Sequence, residues 1–205
     1  MLWLLASFQV YSGKDVEQPA GLAHRVVTDL VRPLYCNSNY VVFMDNYFTS
    51  FPLLEGLKQN GTFACGTYRA NRRGFPALLS DTTQLKPLNR GDSLVRHKVN
   101  TTAVVWMDRN PVHVVSNFHP PTMTTVNRKN RDGTVSIVTC RTIVSEYNRH
   151  MGCVDLTDQL KVYYSYNRKS KRWWIRLFFH FINTLPLSMP MYRTYIVIDR
   201  ICTHQ

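Results

Sequence analysis

Residues 40–69, YVVFMDNYFTSFPLLEGLKQNGTFACGTYR, constrain the fold more than any other stretch of the chain. YVVFMD is too short and too β-branched for a helix and has no polar face, so it reads as a strand buried on both sides. SFPLLEGLKQNG reads as a helix. Ser50 is placed to cap it, Pro52 falls in the permissive first turn, and Asn60–Gly61 closes it. FACGTYR returns to strand. Upstream, Leu22, Val26, Val27, Leu30 and Val31 recur at the spacing of an amphipathic helix, which Pro33 either ends or kinks in its last turn. LASFQVYSG, before that helix, reads as a further strand stopping at Ser12–Gly13. Strand, helix, strand, helix, strand in this order predicts an α/β layer with right-handed crossovers.

After about residue 70 the character changes. RANRRGFPALLSDTTQLKPLNRGD is basic and turn-rich. Three short alternating runs follow, SLVRHKV, TAVVWMD and VHVVSNF, with a DRNP turn between the last two. They predict an antiparallel meander inserted into the α/β chain. HPPTMTTVNRKNRDGTVS reads as a loop. Helical periodicity returns from TIVSEYNRHMGCVDLTDQL onward. SKRWWIRLFFHFINTL is a second helix, with Trp174, Leu177, Phe178 and Phe181 on one stripe that reads as core. The last twenty residues, broken by Pro186 and Pro190, carry no recognisable pattern.

The charge balance narrows the partners. The chain has 25 Lys+Arg against 13 Asp+Glu, a formal net charge of +12. A surplus of that size favours a polyanion: DNA, RNA or an anionic membrane face. MLWLLASF lacks a basic leader region and is too short to span a bilayer, so it reads as a start inside a once longer reading frame and gives no membrane partner. The five cysteines are scattered, with no C-x-x-C pair, which speaks against a zinc knuckle or a disulfide scaffold.

Three constellations carry candidate chemistry. Asp45 ends the buried strand YVVFMD, and in α/β sheets that end opens into the ligand crevice, where a carboxylate can hold a divalent ion. It reads equally well as the start of a turn. Asp155 and Asp158 in GCVDLTDQ share one helix face; like charges there repel unless a cation sits between them, or they simply complement a helix N-terminus. Arg168, Lys169, Lys171 and Arg172 surround Trp173 in NRKSKRWW. Cations contact phosphates without reading sequence, and an exposed indole can stack on a base; the plainer reading is a solvated basic face. Arg69, Arg72 and Arg73 in YRANRRG form a second cationic cluster on the same argument.

VVFMDNYFTSFPLLEGLKQNGTFACGTYRANRRGFP, followed by RHKVNTTAVVWMDRNPVHVVS, YNRHMGCVDLTDQL and YYSYNRKSKRWWIRLFFH, resembles the piggyBac transposase family in order and spacing. The likeness covers roughly residues 7–185. It implies an α/β, ribonuclease-H-like DDE/DDD transposase core interrupted by a β-rich insertion domain. Such cores cut and rejoin DNA with two Mg²⁺ ions held by carboxylates, and Mg²⁺ suits them because it is hard and oxygen-loving. By position the resemblance gives Asp45 the family's second catalytic acid, Asp155 the third, and Asp158 an auxiliary acid. The first acid of the family lies on the strand before FQVYSG, where MLWLLA has none. The family's GGVD is GCVD here. Its N-terminal region and C-terminal zinc domain have no counterpart.

The expected organisation is therefore an N-terminally truncated core part over residues 1–74, a β-rich insertion over 75–138, a helical core part over 139–185 and an irregular tail over 186–205. The expected function is that of a nuclear, transposase-derived DNA-binding remnant. It holds DNA non-specifically, binds Mg²⁺ weakly or not at all, and forms a homodimer if it follows the family. Two alternatives stand beside it: an active strand-transfer enzyme whose missing acid comes from elsewhere, and a domesticated scaffold that touches no DNA.

Overall fold

The computed structural model describes residues 10–11, 21–35, 40–98, 100–129, 132–152, 155, 159, 162–163, 170–184 and 201–202. The chain divides into two compact units, residues 1–34 with 152–205, and residues 35–151.

In the first unit, β1 (Val10–Tyr11) pairs in parallel with β9 (Ile201–Cys202), inside the tail that the sequence left without pattern. Helix α1 (Leu22–Tyr35) buries Val27, Leu30 and Val31, three of the residues whose spacing predicts it, and runs through Pro33. Helix α6 (Trp173–Thr184) also stands where its periodicity places it, but its stripe is not core. Trp174 is 52% exposed and Phe178 54% exposed, so the expectation that Trp174 is buried is wrong. Helical periodicity specifies which residues share a face and leaves open whether anything covers that face. Among the described residues no helix is long and apolar enough to cross a membrane.

The second unit is built on β2 (Val41–Met44), α2 (Phe51–Gln59) and β3 (Phe63–Thr67). The two strands pair in parallel from Val41↔Phe63 to Met44↔Gly66. Ser50 caps α2 by accepting from the Leu53 amide, and Pro52 occupies its first turn. Leu53, Leu54 and Leu57 are buried along one face, each contributing about 1.5–3 kcal/mol. The basic, turn-rich segment holds two single-turn helices, α3 (Ala77–Ser80) and α4 (Thr82–Leu85), the second capped by Asp81, whose side chain accepts from the Thr83 amide. The meander then follows as β4 (Ser93–Lys98), β5 (Thr101–Met107) and β6 (Pro111–Ser116). It does not form a separate sheet. Strand β6 pairs antiparallel with β3, giving a five-stranded mixed sheet in the order β2-β3-β6-β5-β4.

The stretch expected to be a loop is largely a ribbon, β7 (Met123–Lys129) paired antiparallel with β8 (Val135–Arg141). Its Asn, Arg and Lys content lowers strand propensity, and tertiary anchoring overrides it. The ribbon is pinned at two places. Arg128 donates to both oxygens of Asp108 in the β5–β6 turn, at 2.8 and 3.1 Å, and Arg141 donates to Ser93 Oγ at 2.8 Å and to the Pro121 carbonyl. Helix α5 (Thr142–His150) closes the unit. Its buried Ile143, Val144 and Tyr147 join Cys65, Val104, Trp106, Val114 and Cys140 in one core cluster, against which Phe43 packs.

A buried amide joins the meander to the parallel pair. Asn117 Oδ1 accepts from the Ala64 amide and Asn117 Nδ2 donates to the Leu54 carbonyl, both at 2.7 Å. His119, bonded through Ser116 next to it, is buried, and His113, farther back on β6 against Phe75, is half-buried. Burial holds both imidazoles below the ordinary histidine range; for His119 the Glu146 carboxylate opposes burial and His150 adds to it. The neutral forms are therefore favoured in the folded chain. Above the unfolded value of about 6.5 both states are neutral and nothing is lost; as pH falls below it the unfolded chain protonates first, and stability drops. Thermal melts at pH 7.5 and pH 5.5 are expected to show a lower midpoint at the acid end, with a smaller gap in His119→Gln; an identical gap in the variant would contradict this.

Candidate functional site

The C-terminal ends of β2 and β3 carry the chemistry. Asp45 follows β2 directly and is exposed. Its backbone is fixed by a tight turn: the amides of Phe48 and Thr49, each at 3.1 Å, and the Thr49 hydroxyl at 2.8 Å, all donate to the Asp45 carbonyl. The Asn46 amide donates to Asp45 Oδ1, and Oδ2 has no partner among the described residues. Thr49 is wholly buried because β3 offers it a gap at Gly66. A Cβ at Gly66 would lie 2.2 Å from Thr49 Oγ1 and 2.8 Å from the Met44 carbonyl.

Tyr147 of α5 reaches the same edge from below. Its ring is buried in the core cluster and its hydroxyl lies 3.2 Å from Thr67 Oγ1 at the end of β3. Burial pushes its pKa up first, the bond with Thr67 opposes that, and the Asp45 charge raises it further. The phenol therefore stays protonated and keeps a donor near the carboxylate. Nothing in TIVSEYNRH singles out Tyr147 from the rest of its helix.

The three arginines of the first cationic cluster separate by role. Arg72 is half-buried and donates to the carbonyls of Thr49 and Tyr47, the latter at 3.1 Å, so it braces the turn that carries Asp45. Arg69 is exposed; its Nε donates to Asn46 Oδ1 at 3.1 Å, which fixes the plane of the guanidinium beside Asp45. Arg73 is exposed, and its carbonyl accepts from the Tyr68 hydroxyl at 2.9 Å. Two of the three, Arg69 and Arg73, present charge outward from a fixed backbone.

Of the other candidates, Asp155 is helical and exposed, and Lys171, Arg172 and Trp173 are exposed at the start of α6, with Trp173 at 65%. Ser170 organises that start: its hydroxyl accepts from the Arg172 amide at 3.1 Å, and its carbonyl from Arg176 Nε at 2.8 Å. Asp158, Arg168 and Lys169 lie outside the described residues. Carboxylate oxygens suit a hard divalent ion, but among the described residues no three His, Cys, Asp or Glu side chains come together as a metal site. Asp45 alone does not make one.

Residues 3–186 match the DDE transposase family described as Transposase IS4. The chain belongs to the IS4/piggyBac-type transposase family. It is similar to human PiggyBac transposable element-derived protein 5, with 24% identity over 148 residues, covering 71% of this chain and 28% of that protein. It is also similar to the cryo-EM structure of a piggyBac transposase synaptic complex with hairpin DNA. There the TM-score is 0.70 and the identity 24%, covering 87% of this chain and 35% of the other. The mixed α/β architecture is thus the fold of that transposase, consistent with a ribonuclease-H-like DDE core. The chain spans about a third of the length of these relatives. The DDE family implies a divalent metal as cofactor.

Proposed function

We infer that this member of the family binds DNA through its phosphates and does not cut it unaided. The observation that carries the reading is the pairing of Asn46 with Arg69, which holds a guanidinium at the open end of the parallel strands where Arg73 also faces solvent. Lys171, Arg172 and Trp173, exposed at the start of α6, supply a second contact set, and the net charge of +12 supplies long-range attraction. The similar solved transposase is a complex with DNA. Non-cutting rests on the sequence: MLWLLA, the segment before FQVYSG where the resemblance places the family's first acid, carries neither Asp nor Glu. Asp45, Asp155 and Asp158 then remain as an incomplete set, with Mg²⁺ held weakly at most. The homodimer and the nuclear location belong to the same reading.

Binding of this kind is non-specific and steeply salt-dependent, because each neutralised phosphate releases counterions and log K falls by about 0.9 per contact per decade of salt. Titration of a labelled duplex at 50 and 200 mM salt is expected to show affinity falling by about three orders of magnitude, roughly the effect of six contacts. A flat response would favour the scaffold reading. Incubation of supercoiled plasmid with Mg²⁺ or Mn²⁺ is expected to leave it intact; nicking abolished by Asp45→Ala would establish the enzyme reading instead.

A further inference from the structure

We propose that β4 is a docking edge for an extended acidic peptide, which joins the five-stranded sheet as one more strand. This goes beyond the DNA-binding reading and uses residues which that reading leaves aside. Strand β4 ends the sheet order β2-β3-β6-β5-β4, and among the described residues only β5 pairs with it. The pairing fixes which backbone groups are left over. Lys98 and Thr101 close a tight hairpin loop, and at the other end the Met107 amide donates to the Asp92 carbonyl. Residues of even number therefore bond to β5, and Ser93, Val95 and His97 turn their amides and carbonyls outward. The ribbon reaches the first of these through the bond from Arg141 to Ser93 Oγ at 2.8 Å. The open stretch is Val95–Lys98, where Arg96, His97 and Lys98 are all exposed.

Hydrogen bonding and charge together select the occupant. An outward row of amides and carbonyls needs acceptors and donors in alternation. DNA phosphates only accept, so a duplex backbone leaves the carbonyls unmet, whereas a peptide backbone satisfies both. Charge then narrows the peptide. SLVRHK contains no acid, and strand alternation puts Arg96 and Lys98 on one face. Cations on an edge oppose pairing with an identical edge. That excludes a second copy of β4 and favours a strand with Asp or Glu at alternate positions, opposite Arg96 and Lys98. Arg96 adds a lock. Its Nη1 donates to the Val95 carbonyl at 2.9 Å, covering one of the outward acceptors. A partner carboxylate draws the guanidinium away, because the bond to a charged acceptor is the stronger one, and leaves the carbonyl to the partner's amide. A strand without acids meets a covered edge.

The test titrates the full chain at one low salt concentration with three synthetic peptides: one of alternating Glu and Val, the same sequence with every backbone amide N-methylated, and one with Lys in place of Glu. The Glu–Val peptide is expected to bind at least about five-fold more tightly than either of the others, and to slow amide hydrogen exchange at Val95 and His97. A chain carrying both Arg96→Glu and Lys98→Glu is expected to reverse the preference, taking the Lys–Val peptide over the Glu–Val one. Equal affinity for the N-methylated peptide reduces the contact to charge alone and overturns the docking edge, and needs no variant. An unreversed preference in the double variant also overturns it. Protection of Val95 and His97 by duplex DNA instead of by the peptide assigns the edge to nucleic acid and overturns it too. Failure of all three peptides to bind overturns it while leaving the DNA-binding reading intact.

Discussion

Gly66→Val is expected to be strongly damaging to the 35–151 unit, lowering the thermal midpoint by roughly 2–12 °C. Even a methyl at this position meets Thr49 Oγ1 at 2.2 Å and the Met44 carbonyl at 2.8 Å. Neither neighbour has an easy retreat. Met44 is register-paired with Gly66 across the parallel ladder, and Thr49 is buried with its hydroxyl spent on the Asp45 carbonyl. Overpacking of this kind costs about 1–3 kcal/mol and sometimes more. In a chain of this size each kcal/mol is worth about 2–4 °C. Gly56, inside α2, is the internal control. A Cβ there meets nothing within 4 Å, so Gly56→Ala is expected to raise stability by about 0.5–1 kcal/mol through helix propensity. Circular-dichroism melts of the two variants separate a packing effect from a general intolerance of substitution. An unchanged midpoint in Gly66→Val would show that the Asp45 turn is not seated as described.

Arg72→Ala and Arg69→Ala are expected to fail in opposite ways. Arg72 gives its guanidinium to two backbone carbonyls of the Asp45 turn. Hydrogen bonds from charged donors are worth about 1.5–3 kcal/mol each, so its loss is expected to cost roughly 3 kcal/mol of stability. Lysine cannot fork to both carbonyls and is expected not to rescue it. Arg69 makes one side-chain bond, to exposed Asn46. Its alanine variant is expected to melt within about 0.5 kcal/mol of the parent, but to bind duplex DNA more weakly with a salt slope shallower by about 0.9. Urea denaturation and DNA titration of both variants check the division. Equal stability loss in the two would place Arg69 among the braces, and an unchanged salt slope would remove it from the DNA face.

Much of this was legible in the chain because each signal is local. Ser50, Pro52 and Asn60–Gly61 bound α2 by chemistry that acts within one helical turn, and the structure uses Ser50 as expected. The β2, β3 and meander strands follow from apolar β-branched runs between turn residues. What the sequence could not carry depends on partners far along the chain. The β7–β8 ribbon is composed like a loop and is held as strand by Arg128 and Arg141 reaching Asp108, Ser93 and Pro121. Arg72 and Arg69 look alike in YRANRRG; only the carbonyls of residues 47 and 49 and the side chain of Asn46 tell them apart. Trp174 shows the converse: its stripe is real, but periodicity does not say whether anything packs on it.

The seam between β3 and β6 has a kinetic meaning. The β4–β5–β6 hairpins close over a few residues each, whereas Cys65↔Ser116 joins positions fifty-one apart, a contact that must repay a longer loop before it rewards the chain. The hairpins are thus positioned to assemble early and to dock onto the parallel strands late, through three residue pairs and the Asn117 clamp. Contacts made late leave the folding rate almost untouched and govern how fast the native state comes apart. Damage at this seam is therefore expected to steepen loss by unfolding: the chain would reach its native form at nearly the usual speed and hold it for a shorter time.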